Sequence, residues 1–295
     1  MTDHRADTLL PANTRHAVAL VLGANLLFAL VDTSTKWLIG AGLTVLQLAF
    51  LRYALHFLVT IAEGTIRRQR MPRLSPRVWA LVVLRAFFLV SATIANFVAL
   101  GHLPLAVTAA ILFLYPVLVC LFARAILRET LGARQVMAVL VGFSGTAIIL
   151  NPFGAEVNWY AILMLYPASA MAIYIVLTRL LADQVPALVL QFNTGLLGTV
   201  ALAPIGLWAW ATPSGPAEWS LAMLIGVFAW AGHELLTRAH HSAEASFLAP
   251  YGYSFVLFLI VAGWIVFGDV PTPMTLLGAV FIAVAGVLVQ RRRAG

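Results

Sequence analysis

The sequence predicts an all-α polytopic membrane protein, and three observations carry that prediction. Of its 295 residues, 62% are hydrophobic and 10% charged, with a mean hydropathy of +0.96. Soluble domains run at about 45–50% apolar and about 25% charged. The apolar residues gather into runs of the length a helix needs to cross hydrocarbon, about 20 residues. Arginine collects between alternate runs, as it does in cytoplasmic loops.

Taken in order, residues 1–15 form a polar cytoplasmic tail. The first run, His16–Leu38, exceeds a signal-peptide h-region of about 7–15 residues. It also holds Asp32 and Lys36, so it reads as a retained helix. Spans follow at Leu43–Ala62, Val78–Gly101, Pro104–Leu127 and Gln135–Leu150. The series continues with Trp159–Leu181, Ala187–Trp210, Trp219–Ala239, Ala245–Phe267 and Pro273–Val289, about ten in all. Short connections leave no place for a soluble domain.

With the N-terminus inside, the inner segments collect Arg5, Arg15, Arg67, Arg68, Arg70, Arg73, Arg77, Arg124, Arg128, Arg134, Arg179, Arg238 and Arg291–Arg293. The outer loops hold Glu156, Glu218 and Asp269 and no lysine or arginine. That one-sidedness predicts both ends in the cytoplasm, and Trp159, Trp210 and Trp219 fall at outer boundaries where indoles anchor. The net charge of +7 and pI near 10.2 therefore reflect topology. A nucleic-acid binder would cluster its basic residues on one face. Cys120, the single cysteine, sits in an apolar run and excludes an intrachain disulfide. No nucleotide-binding loop or metal-ligand cluster is present, so no cofactor is expected and an ATP-driven pump is excluded for this chain alone. Oligomeric state is left open.

Sliding the chain on itself by about 140 residues, the period test for internal repeats, places Ala99 on Ala239, Ala106 on Ser246, Ala109 on Ala249 and Glu129 on Asp269. Small-residue helices follow in both copies, with Gly142 and Gly145 in one and Gly278 and Gly286 in the other. Residues 16–151 thus make one five-helix repeat and 158–290 a second, with 291–295 a basic cytoplasmic tail. An odd number of spans inverts one copy relative to the other, as in many secondary transporters.

With these features the sequence resembles the drug/metabolite transporter superfamily, and within it the EamA-type exporters. The resemblance rests on Ala99-Leu100 before Ala106 and Ala109, Tyr115-Pro116, Arg128-Glu129-Thr130-Leu131, and Gly142 with Gly145. Val256 stands in the place of Pro116 in the second copy, and Asp269 replaces the usual glutamate. The resemblance implies a carrier of the bacterial inner membrane. Its central cavity is lined by the first, third, fourth, sixth, eighth and ninth helices. It further implies small-molecule substrates, most of all amino acids and analogues, moved outward.

Charge inside hydrocarbon costs from about 3 to over 10 kcal/mol and so faces protein or a wet cavity. Asn25, Asp32 and Lys36 lie on one face of the first helix, the last two at ion-pair spacing. Trp230, His233, Glu234, Thr237 and Arg238 form a comparable patch on the eighth. Asp32 and the His233–Glu234 pair have two readings of equal weight. They face the pathway, to bind a substrate ammonium or carry a coupled proton, or they belong to structural ion pairs at the interfaces. His56 reads as interfacial. Arg52 and Arg85 lie deeper and take either a structural partner or a substrate carboxylate, the partner weighing slightly more.

Pro116, Pro167, Pro204 and Pro250 interrupt spans, and each frees a carbonyl that needs protein or water. Pro116, Pro167 and Pro250 are the candidate hinges. Beside them Tyr115, Tyr166, Tyr251 and Tyr253, with Asn96 on the third span, are candidate substrate contacts, each of which also suits ordinary interhelical packing. Gly142-Phe143-Ser144-Gly145 matches the Gly-x-Ser-Gly of rhomboid-type intramembrane proteases, with His233 or His56 as conceivable base. The pattern is weak in a small-residue helix, where glycines serve close approach. The expected function is a secondary carrier rather than an enzyme, with a multidrug-type exporter of cationic or aromatic compounds as its rival.

Overall fold

The computed structural model describes residues 12–66, 68, 74–103, 105–112, 114–150, 159–268, 270 and 273–290. Helix follows helix, with no strand among the described residues. The first three runs are unbroken: α1 (Ala12–Gly40), α2 (Val45–Ile66) and α3 (Pro76–Leu100). Ser75 caps α3 by accepting a bond from the Val78 amide, and Pro76 stands in the first turn, where a missing N–H leaves nothing unpaired.

The fourth run is interrupted. α4 (Leu105–Leu112) ends before α5 (Tyr115–Phe122), which carries Pro116 in its first turn because the ring cannot extend the preceding ladder. A π turn over Ala123–Leu127 leads to Arg128, whose φ of 57° closes the helix in the left-handed region. α6 (Ala133–Leu150) completes the first half of the chain.

The next run breaks in the same way, between α7 (Trp159–Leu163) and α8 (Leu165–Leu181), with Pro167 just inside the second piece. α9 (Ala187–Trp208) continues through Pro204 without a break, unlike the interruption its sequence predicts. α10 (Pro216–Ser242) is unbroken. The following run starts as a single turn, α11 (Ala245–Leu248), and passes through a 3-10 stretch at Ala249–Tyr253 that contains Pro250. It then becomes α12 (Ser254–Phe267), and α13 (Pro273–Gln290) is last.

Six of these segments are long and apolar enough to cross a bilayer among the described residues: Thr14–Gly40, Val45–Ile66, Pro76–Leu100, Ala187–Trp208, Pro216–Ser242 and Ala245–Phe267. Tyr115–Leu127 and Leu165–Leu181 are shorter apolar helices. Large apolar side chains cover the outside. On α1 they are Leu22, Leu26 and Leu30, a stripe at four-residue spacing opposite the buried Asn25 and Asp32. An apolar exterior around a polar interior is the pattern lipid imposes. Of the charges that set orientation, Arg5, Arg67, Arg70, Arg73, Glu156, Asp269 and Arg291–Arg293 lie outside the described residues.

The helices pack in pairs: α1 on α10, α3 on α8, α2 on α9 and α6 on α13. Small residues permit this where no aqueous hydrophobic drive exists between helices. A Cβ on Gly198 would enter the Tyr53 ring, and one on Gly226 would overlap Leu55, so α9 and α10 close tightly onto α2.

Candidate functional site

Ionisable groups at membrane depth mark where the interior departs from simple packing. Asp32, Arg52, His56, Arg85, His233 and Glu234 are all buried. They resolve into three arrangements with different chemical capacity.

Arg85 is fully buried and fully satisfied. Its Nε donates to Thr178 Oγ1 at 2.8 Å, and Nη1 to Thr194 Oγ1 at 2.9 Å and the Leu190 carbonyl at 3.4 Å. Nη2 donates to the Tyr174 hydroxyl at 2.8 Å and Thr237 Oγ1 at 3.3 Å. A guanidinium has five N–H donors, so all are engaged, and its carbon lies 4.4 Å from the Tyr174 ring centroid. Arg85 therefore binds α3 to α8, α9 and α10 through neutral acceptors.

Glu234 forms the second arrangement. Its Oε1 accepts from Arg238 Nε at 2.7 Å and lies 2.7 Å from Nη2 of the same residue, one helical turn on. Glu63 of α2 is 3.7 Å from the same guanidinium. This is the structural alternative of the sequence reading, an ion pair running toward the interface.

The third arrangement surrounds a cavity of about 90 Å³. Its walls are Asn25, Phe28, Val31 and Asp32 of α1, Arg52 of α2, Leu89, Ala92, Thr93, Asn96 and Phe97 of α3, Leu112 of α4 and Tyr115 of α5. Pro167 and Met171 of α8, His233 of α10 and Phe255 of α12 complete them. Asp32 Oδ1 accepts from Asn96 Nδ2 at 3.1 Å. Asn25 Nδ2 donates to Ser254 Oγ at 2.9 Å and to the carbonyls of Tyr251 at 3.1 Å and Gly252 at 3.4 Å. Those carbonyls come from the 3-10 stretch around Pro250, so Asn25 supplies the donor that the broken helix lacks. Arg52 Nη1 donates to Thr93 Oγ1 and, at 3.3 Å, to the Tyr53 hydroxyl, and Nη2 lies 3.0 Å from His233 Nε2.

Asn25, Asp32, Asn96, Tyr115 and His233 thus converge on one cavity with Pro167. Other sequence candidates are placed elsewhere. Tyr166 is 40% exposed on the outer surface and donates to Ser91 Oγ at 2.7 Å. Tyr253 donates to the Val139 carbonyl at 3.1 Å and stacks over Gly142, a packing role. Tyr251 is buried against Phe247, and Trp230 and Glu234 are not among the lining residues. Pro116 is buried at the start of α5 and Pro250 in the 3-10 stretch. Lys36 donates to the Leu103 carbonyl at 2.9 Å, and Asp32 has no ion pair within 4.0 Å among the described residues. His56 is buried rather than interfacial, its ring centroid 6.2 Å from that of His233. Ser144 is exposed and donates back to the Leu140 carbonyl at 2.9 Å.

Arg52, for which the sequence left a structural partner and a substrate carboxylate both open, stands in the wall and adds the second span to the six expected. The available signal was its depth, seven residues inside α2. Thr93, Phe28, Phe97 and Phe255 carried no such signal. A smaller pocket beside the first shares Asn25, Phe28, Tyr115 and Met171 with it and is also lined by Val119, Ile175, His240, Ala245 and Leu248.

Comparison with known proteins points to a transporter family. The model of the EamA-like transporter family matches residues 15–151 and again 158–291. The chain is similar to the pseudopaline exporter CntI of Pseudomonas aeruginosa, 27% identical over 288 residues, which are 95% of this chain and 98% of that one. It is 28% identical to a riboflavin transporter of Vibrio cholerae, covering 90% of this chain and 89% of the relative. An S-adenosylmethionine uptake transporter of Rickettsia prowazekii is 24% identical, with 88% and 86% covered. A crystal structure 20% identical to the chain superposes with a TM-score of 0.74, covering 92% of this chain and 95% of that one.

Proposed function

The chain belongs to the EamA-like transporter family and is a multi-pass protein of the inner membrane, and from that premise we propose that it is a secondary carrier exporting small zwitterionic metabolites, amino acids and their analogues foremost. The observation that carries the reading is the cavity at membrane depth whose walls come from both halves of the chain and hold Asp32 and Arg52 together. Charge in that position is expensive unless it has work to do there. Asn25, Asp32, Asn96, Tyr115 and His233 are the proposed solute contacts, with Pro116, Pro167 and Pro250 allowing the broken helices to bend.

The proposed frame is ten spans as two inverted five-helix repeats, 16–151 and 158–290, with both ends inside. Helix packing supports it. Exchanging α1 with α8, α2 with α9, α3 with α10, the α4–α5 run with the α11–α12 run and α6 with α13 turns the pair α1–α10 into α8–α3. The same exchange turns α2–α10 into α9–α3 and α1–α12 into α8–α5, and maps α2–α9 and α6–α13 onto themselves. That is the contact pattern of a pseudo-two-fold pair, and rocking of one half on the other would open the cavity to alternate sides.

The relatives differ in cargo, since their names specify pseudopaline, riboflavin and S-adenosylmethionine. A multidrug-type reading draws on the aromatic walls Phe28, Phe97 and Phe255 beside Asp32, which would suit an aromatic cation. Arg52 in the same wall works against a lone cation. Flux into proteoliposomes from a labelled amino-acid panel tests the proposal, with and without a pH gradient to test proton coupling. Movement of cationic dyes with no movement of any amino acid would favour the rival.

A further inference from the structure

Two arginines lie buried in adjacent helices, and their hydrogen-bond accounts differ. Arg85 makes contacts from every donor it has. Arg52 reaches only Thr93, Tyr53 and His233, and its Nε has no acceptor among the described residues. Three of five donors are used, which leaves Nε–H and one hydrogen of Nη2. These are neighbouring donors of one guanidinium fork, the geometry that takes a carboxylate through two parallel bonds.

Asp32 is short of partners in the opposite sense. A carboxylate offers about four acceptor positions, and only Asn96 donates to it. Neither residue has a counter-ion within 4.0 Å among the described residues, though both line the same cavity. Two unlike charges that line one cavity without pairing form a dipole that a solute of opposite polarity neutralises at both ends. The same cavity is also lined by Phe28, Phe97, Phe255 and Met171, which suit an apolar or aromatic body.

We propose that Arg52 anchors the carboxylate and Asp32 the ammonium of a zwitterionic solute with an apolar or aromatic side chain. This deepens the carrier reading and rests on it. Arg85 has no donor to give and acts through Tyr174 and His233 to hold Arg52 in place. A solute lacking either charge leaves one buried ion uncompensated, so selection works by penalty as well as by attraction.

The test is counterflow in proteoliposomes with labelled L-phenylalanine, competed by unlabelled phenylalanine, phenylalaninamide and N-acetylphenylalanine. Flux of labelled riboflavin and of the lipophilic cation tetraphenylphosphonium is measured in parallel. Wild-type protein is expected to prefer phenylalanine over either capped analogue on the order of 100-fold. Arg52→Gln brings phenylalanine and its amide to within about threefold by weakening the acid alone, and Asp32→Asn does the same for the N-acetyl compound. Arg52→Lys keeps the charge, loses the fork and falls between, which keeps the test alive if Arg52→Gln does not fold.

Equal wild-type competition by acid and amide overturns the two-ended grip and leaves the carrier standing. So does an Arg52→Gln variant that loses both solutes equally. Flux of riboflavin or the cation without phenylalanine overturns the grip and the amino-acid assignment together. No flux of any probe removes the carrier reading and this inference with it.

Discussion

Arg52 Nη2 lies 3.0 Å from Nε2 of His233. Arginine has only donors, so Nε2 must present its lone pair, and the ring proton sits on Nδ1, 3.0 Å from the Tyr174 hydroxyl. The ring is thereby a neutral, one-directional link between the Arg52 cavity and the saturated Arg85 cluster. His233→Leu strands a hydrogen of a buried cation, a loss of about 2 kcal/mol. His233→Gln restores an acceptor for Arg52 and should recover part of it. Apparent unfolding temperature in detergent is expected in the order wild type, glutamine, leucine, and solute flux in the same order. Leucine matching wild type would remove His233 from the network.

Arg85 predicts a different pattern. Its five contacts reach α8, α9 and α10, so replacing it disturbs assembly before transport. Arg85→Lys keeps a charge but offers three donors in place of five and cannot stack as a plane over Tyr174. A loss of about 3 kcal/mol is expected, in line with breaking a buried charge network. Monodisperse yield by size exclusion should fall for Arg85→Lys by more than for Arg52→Lys.

Helix spacing gives a prediction that involves no charge. A Cβ on Gly226 meets the Leu55 side chain and lies 3.1 Å from the Arg52 carbonyl oxygen and 3.2 Å from that of Leu51, which are backbone and cannot step aside. Gly226→Ala must push α10 off α2, at about 1–3 kcal/mol. Gly40, with nothing within 4 Å of the added carbon, is the control. Gly40→Ala should leave the unfolding temperature unchanged while Gly226→Ala lowers it.

Much of this arrangement is legible in the amino-acid sequence, and what is not has a physical reason. Asp32 announces itself because a carboxylate inside an apolar run is costly wherever it points. Its partner Asn96 does not, since it lies 64 residues away and an asparagine costs little in sequence terms. Lys36 is misleading, since helix spacing favours a pair with Asp32, yet its long stem carries the ammonium to the carbonyl of Leu103 beyond the end of α3. Prolines mark breaks at positions 116, 167 and 250, where a new helix or a 3-10 stretch begins, but Pro204 sits in a helix that runs on. The tyrosines divide by tertiary contact alone. Tyr115 faces the cavity while Tyr253 packs over Gly142, and nothing local distinguishes them.

Glu129 carries the last prediction. Its Oε2 accepts from the Ser246 amide at 3.0 Å and its Oε1 from the Ala245 amide at 3.2 Å, so the carboxylate from one half of the chain caps the first turn of α11 in the other. Ala245 and Leu248 of that turn line the smaller pocket beside the cavity, which places the cap next to it. The single cysteine reports on it. Cys120 is buried, with Sγ 3.9 Å from the Ser246 carbonyl. Glu129→Ala removes two charge-assisted bonds worth about 1.5–3 kcal/mol each. It should let α11 separate from α5 more often. Maleimide labelling of Cys120 in native membranes is then expected to speed up by at least about tenfold, the factor that 1.4 kcal/mol gives. Glu129→Gln, which keeps one acceptor oxygen, should fall between. Saturating solute that favours the arrangement with α11 on α5 should slow labelling again. Equal rates in all three proteins would show that the carboxylate does not hold α11 against α5.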